Sequence, residues 1–98
     1  MRPPLIGDAV AAARVLSALP RARRRAVLAA LIARAEAGER FRRAEGRAHP
    51  VLGNGSLMAA CSGWPKVAEP ALSDGEWLGC LRLVLAGLAR AQRRKPMV

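Results

Sequence analysis

The chain has 98 residues, the length of one small domain, and carries 17 lysines and arginines against 7 acidic residues for a formal net charge of +10. The longest uninterrupted apolar run, Ala26 to Ala33, is far short of the ~20 residues of a membrane span. Asp8 and Arg14 bracket the apolar start of the chain too tightly for a signal sequence. One histidine and two cysteines leave little for catalysis or metal binding.

The positive charge is uneven. Residues 21–47 hold nine arginines against Glu36, Glu39 and Glu45, and residues 82–98 hold Arg82, Arg90, Arg93, Arg94 and Lys95 with no acid. Between them, residues 48–81 set Lys66 against Glu69, Asp74 and Glu76. Two basic blocks around a mildly acidic middle favour polyanions: nucleic acid first, an anionic membrane surface a poor third. The bland alternative is an arginine-rich solubilising surface.

In chain order, Pro3–Pro4 delays the first helix, and Asp8 is placed to cap a short one over residues 9–19. Ala12, Val15, Leu16 and Leu19 share its inner face. Pro20 separates it from a long helix over residues 21–47, whose apolar stripe is Val27, Leu28, Leu31, Ile32, Ala35, Gly38 and Phe41. Leu28, Leu31, Ala35 and Gly38 repeat as only two heptads, too few for a coiled coil. Ala35 and Gly38 permit close approach of another helix, within the chain or between subunits. Glu36–Arg40 and Glu39–Arg43 have the i,i+4 order of stabilising pairs. The long helix frays near Gly46.

A loop-rich connector follows over residues 48–72. Gly53-Asn54-Gly55 marks a turn, and Asn54 or Ser56 caps a small helix from Leu57 to Cys61. Ser73 and Glu76 have capping-box spacing, with Leu72 and Trp77 placed as a hydrophobic staple. The amphipathic C-terminal helix, residues 73–95, carries Trp77, Leu78, Leu81, Val84, Leu85 and Leu88 on one face and ends in its basic tail before Pro96. Leu83 lies off that stripe, which suggests a wider apolar face or an oligomer contact. The expected fold class is all-α: a single domain of residues 1–98, with a helical hairpin over 8–47, the connector, and the C-terminal helix. Its core is thin and alanine-rich, so self-association into a homo-oligomer is expected.

Chemistry is scarce. Cys61 and Cys80 lack the spacing of a zinc or redox pair, and His49 is best read as bonding to its own loop. Gly53 to Ser56 lacks the preceding strand and the Gly-Lys-Ser/Thr ending of a phosphate loop. The reading is no enzyme, no catalytic residue, no cofactor and no metal, in a cytoplasmic protein.

Three segments, RPPLIGDAVAAARVLSALP, GRAHPVLGNGSLMAACSG and EPALSDGEWLGCLRLVLAGLAR, resemble the small terminase subunit of the alphaproteobacterial (Rhodobacter-type) gene transfer agents, phage-like particles that package host DNA. The most specific part is His49-Pro50 followed by Gly53-Asn54-Gly55-Ser56-Leu57. The resemblance implies a non-enzymatic, ring-forming DNA-packaging component that presents DNA to a large terminase subunit. The chain departs from the phage pattern in lacking a separate DNA-reading domain, so non-specific phosphate binding is what the residues support.

The residues expected to contact DNA phosphates are Arg21, Arg23, Arg24, Arg25, Arg40, Arg42, Arg43 and Arg47, and Arg90, Arg93, Arg94 and Lys95 are assigned to the large terminase or more DNA. The competing expectation is a small basic helical module that docks on an acidic protein partner.

Overall fold

The computed structural model describes residues 1–94 and is all-α: α1 (Ile6–Ser17), α2 (Arg21–Glu45), α3 (Leu57–Ala60) and α4 (Gly75–Arg94). Lys95 and Pro96, the expected end of the basic tail and the expected helix stop, lie outside the described residues.

The helix α1 is the centre. It is rich in alanine, and Ala9, Ala11, Ala12, Ala13, Val15 and Leu16 are all buried, so it is covered nearly all round rather than along one stripe. It packs most extensively against α4 and also against α3 and α2. It starts a turn earlier than expected, because Leu5 rather than Asp8 is the extended residue at its mouth (φ −109°, ψ 172°). Asp8 is instead the third helical residue, and its carboxylate reaches back to accept the Leu5 N–H at 2.9 Å. Its other oxygen accepts the Met58 N–H of α3 at 2.8 Å, across fifty residues of sequence. One buried carboxylate thereby satisfies open amides of two helix starts.

The stripe of α2 is buried as the periodicity predicts, from Val27 to Gly38. Phe41 is half-buried, edge-on to His49 at 4.6 Å between ring centroids. Gly46 ends the helix with φ 73°, its N–H donating to the Arg42 carbonyl at 2.8 Å. The close approach that Gly38 allows is to a turn and not to another helix: a Cβ there would stand 3.1 Å from the Leu52 carbonyl oxygen. From the other side Gly55 has φ +92°, and a Cβ on it would fall 2.8 Å from Glu39 Cα. The two glycines let α2 and the turn meet backbone to backbone. That turn is closed by His49, whose Nδ1 accepts the Val51 and Leu52 N–H groups at 2.9 Å each. Ser56, not Asn54, caps α3, its Oγ accepting the Ala59 N–H at 3.0 Å.

In α4 the expected capping box and staple are absent. Asp74, one residue after Ser73, accepts the Trp77 N–H at 3.1 Å, and the Glu76 carboxylate turns to α2 instead. Leu72 is 70% exposed. The buried stripe is Trp77, Cys80, Val84, Gly87, Leu88 and Ala91, its centre rotated by about a fifth of a turn from the expected one. Leu78 and Leu85 therefore stand at its exposed edge, while Leu83 is half-buried toward α2. α1 packs against α4 more extensively than α2 does, and α2 meets α4 at Gly87, where a Cβ would stand 2.8 Å from the Leu28 side chain.

Asp8→Ala leaves two amides without their acceptor, and each unmet buried donor costs about 1–3 kcal/mol. Thermal unfolding should fall by at least ~4 °C, the effect of about 1 kcal/mol in a domain of this size. Asp8→Asn, which keeps one acceptor oxygen, should lose less. Calorimetry on the two variants checks the order.

Candidate nucleic-acid interface

The arginines divide into those held by the fold and those left over. Arg24, with a side chain only 15% exposed, donates from Nε to the Leu16 and Leu19 carbonyls at 2.9 and 3.0 Å, capping the end of α1. Its guanidinium also meets Glu76 at 2.9 Å, and Arg21 donates to the same carboxylate through Nε at 3.2 Å and through a second nitrogen. Glu76 lies in the first turn of α4, so it binds the start of α2 to the start of α4. The hydrogen bond from Arg21, then that from Arg24, holds the Glu76 carboxyl below its usual range, and the same contact raises Arg21.

At the far end of α2, Glu39 is buried and makes the expected i,i+4 ion pair with Arg43. Arg42 donates to it at 2.6 Å and Arg43 lies 3.7 Å away. The Arg42 hydrogen bond keeps the Glu39 carboxyl low against the opposing effect of its burial. Glu36–Arg40 forms no ion pair among the described residues. Arg47 stacks on Phe41, 5.3 Å from the ring centroid. Arg34 donates to the Val51 carbonyl at 2.7 Å and also serves the fold.

Arg23, Arg25, Arg40, Arg90, Arg93 and Arg94 remain exposed and pair with no carboxylate among the described residues. Arg25 and Arg40 are fifteen residues apart on α2, roughly 22 Å along its axis, so they mark opposite parts of the rod. The fold brings Arg25 to Arg90 and Arg94 of α4, joining two blocks that are remote in sequence.

The three arginines line one groove between α2 and α4, together with Glu36, Ala29, Ala33, Leu83 and Gly87, and its volume is about 260 Å³. On α2 residues 25, 29, 33, 36 and 40 follow one ridge at helical spacing, and on α4 residues 83, 87, 90 and 94 follow another. Toward the start of α4 the groove passes into a second hollow of about 340 Å³, where Arg21, Arg24 and Glu76 meet. Periodicity within one helix carries no signal for this groove, because its two walls lie at least 47 residues apart, Glu36 to Leu83.

Both cysteines are buried and free, and burial pushes the Cys61 thiol up to about 11, a pattern of packing rather than reactivity. No group of three metal-ligating side chains is present among the described residues, and no helix among them is long and apolar enough to cross a membrane.

Fold and surface define a small all-helical domain with more exposed arginine than it pairs internally. Residues 2–88 match the family described as Domain of unknown function (DUF7742), and the chain belongs to that family. No curated protein and no solved structure is detectably similar to it.

The lowered Glu39 carboxyl sets an acid limit on stability. A group depressed in the folded state contributes above its unfolded value, about 4.3, and that contribution is lost as pH falls through the folded value. Urea midpoints measured from pH 6 to 3 should fall more steeply in the wild type than in Glu39→Gln. Parallel curves would place the acid sensitivity elsewhere.

Proposed function

We propose that the chain is a non-enzymatic DNA-packaging component, similar to the small terminase subunit of a gene transfer agent. It acts in the cytoplasm as a homo-oligomer, holds DNA weakly and without sequence preference, and hands it to the large terminase subunit. The observation that carries the reading is the arginine surplus that stays exposed and pairs with no carboxylate among the described residues: Arg23, Arg25 and Arg40 on α2, Arg47 beyond it, and Arg90, Arg93 and Arg94 on α4. Arginine suits phosphate through its fixed fork of donors. The start of α2 presents arginine and alanine and no amide side chain that reads base edges, so the backbone of the duplex is the target. Arg21 and Arg24 already engage Glu76, and Arg42 and Arg43 engage Glu39, so these four contribute field more than direct contact.

If about six phosphates are neutralised, affinity for a random-sequence duplex falls by ~10³ between 50 and 200 mM salt. The variant Arg23→Ala/Arg40→Ala/Arg47→Ala, which spares the arginines that hold the fold, should bind all sequences more weakly and flatten the log–log salt slope by about 2–3. Fluorescence anisotropy gives both numbers. A wild-type affinity that ignores salt would remove phosphate binding altogether.

Glu76→Gln works in the opposite direction. It removes a negative charge beside Arg21, Arg24 and Arg25 and frees Arg21, so DNA should bind tighter at low salt with a steeper slope. Unchanged binding would show that the start of α2 faces away from DNA.

A further inference from the structure

The acidic connector and the α2–α4 groove carry complementary chemistry, and we propose that they meet between molecules: the 69–74 segment of one chain docks in the groove of a second copy. This rests on the oligomeric part of the function proposed above and names the contact that builds the oligomer.

The connector is held at both ends. Upstream, Arg14 Nε donates to the Val67 carbonyl at 2.7 Å and the Val67 N–H donates to the Arg14 carbonyl at 3.2 Å. Downstream, Asp74 caps α4 through Trp77, and its own N–H donates to the Ala71 carbonyl at 3.0 Å, closing a tight turn. Leu72 sits on that turn, 70% exposed, with exposed Glu69 and Asp74 on either side. A loop tied at both ends and presenting a leucine between carboxylates loses little freedom when it docks.

The groove offers the counterpart. Ala29, Ala33, Leu83 and Gly87 give it an apolar lining for Leu72, and Arg25, Arg90 and Arg94 outnumber Glu36 around it. A DNA backbone gains nothing from the apolar lining, whereas a leucine flanked by carboxylates uses lining and arginines together. Within its own chain the tied loop lines no part of the groove. The loop is at the start of α4 and Arg94 at its end, nineteen residues or roughly 28 Å along the helix. Loop and groove are different patches, so the contact is head-to-tail and can repeat from copy to copy.

The proposal is tested with two exposed-site variants. Leu72→Gln removes the loop's anchor and keeps the groove. Ala29→Gln/Ala33→Gln obstructs the groove without changing charge and keeps the loop. In low salt the wild type should sediment above its 10.4 kDa monomer mass, and each variant alone should associate at least ~10-fold more weakly. Mixed together, the two variants should recover a one-to-one dimer, because one intact loop and one intact groove remain; circular dichroism and melting confirm that both are folded.

An oligomer that survives in both variants, or a mixture that stays monomeric, overturns the contact. So does a wild type that is monomeric throughout, and one that stays monomeric while its groove takes up an acidic leucine-bearing test peptide assigns the groove to another protein. Duplex binding is read on the same samples. The groove variant keeps every arginine, so a chain that binds DNA and whose oligomer survives in both variants defeats this contact alone, whereas one that assembles through the contact and ignores DNA defeats the packaging function alone.

Discussion

Two backbone amides from opposite halves of the chain end on the carboxylate of Asp8, and the fold depends on that meeting. The first, from Leu5, starts α1; the second, from Met58, starts α3 and carries the connector back to the core. A buried carboxylate without partners costs several kcal/mol, so Asp8 is tolerable only because both amides are there. With that end fixed, α1 lies in the middle of the molecule, and its alanines let the other helices come close. The small size of these residues sets both the compact fold and its thinness.

Acid is scarce in this chain, and where it sits determines which arginines are free. Glu39 takes Arg42 and Arg43 at one end of α2, and Glu76 takes Arg21 and Arg24 at the other. Glu76 links the starts of two helices, whereas Glu39 holds its arginines within α2, at the point where Gly55 presses on the helix backbone. A charge map drawn from sequence alone counts all these arginines as surface. The folded chain leaves a smaller set, drawn from both basic blocks, and part of that set converges on one groove.

What was legible in the sequence was local. The stripe of α2, its end at Gly46, the turn around Gly53 and the helical fold class follow from periodicity and from residues whose backbone preferences dominate their neighbourhood. Less legible were the roles that distant partners decide. Asp8 looks like a cap from its neighbours, and only the arrival of Met58 makes it a joint. Ser73 and Glu76 have the spacing of a capping box, yet Asp74 is an equally good cap one residue on, and two arginines from α2 draw Glu76 away. The α4 stripe was misplaced for the same reason: its leucines outnumber the positions that α1 can cover, so which of them are buried depends on where α1 lies.

That misplacement bears on function. A hydrophobic staple would have hidden Leu72 under Trp77; with Asp74 as the cap, Trp77 goes into the core and Leu72 stays outside. The residue that local rules assign to a helix start thus becomes an apolar point on an acidic loop. Arg25, Arg90 and Arg94, which composition alone assigns to a polyanion, flank an apolar lining that a polyanion does not use. The two departures have one economical account. A small core leaves apolar surface over, and the contact proposed between copies would cover it with a leucine-bearing loop of opposite charge, leaving the arginines outside the groove to phosphate.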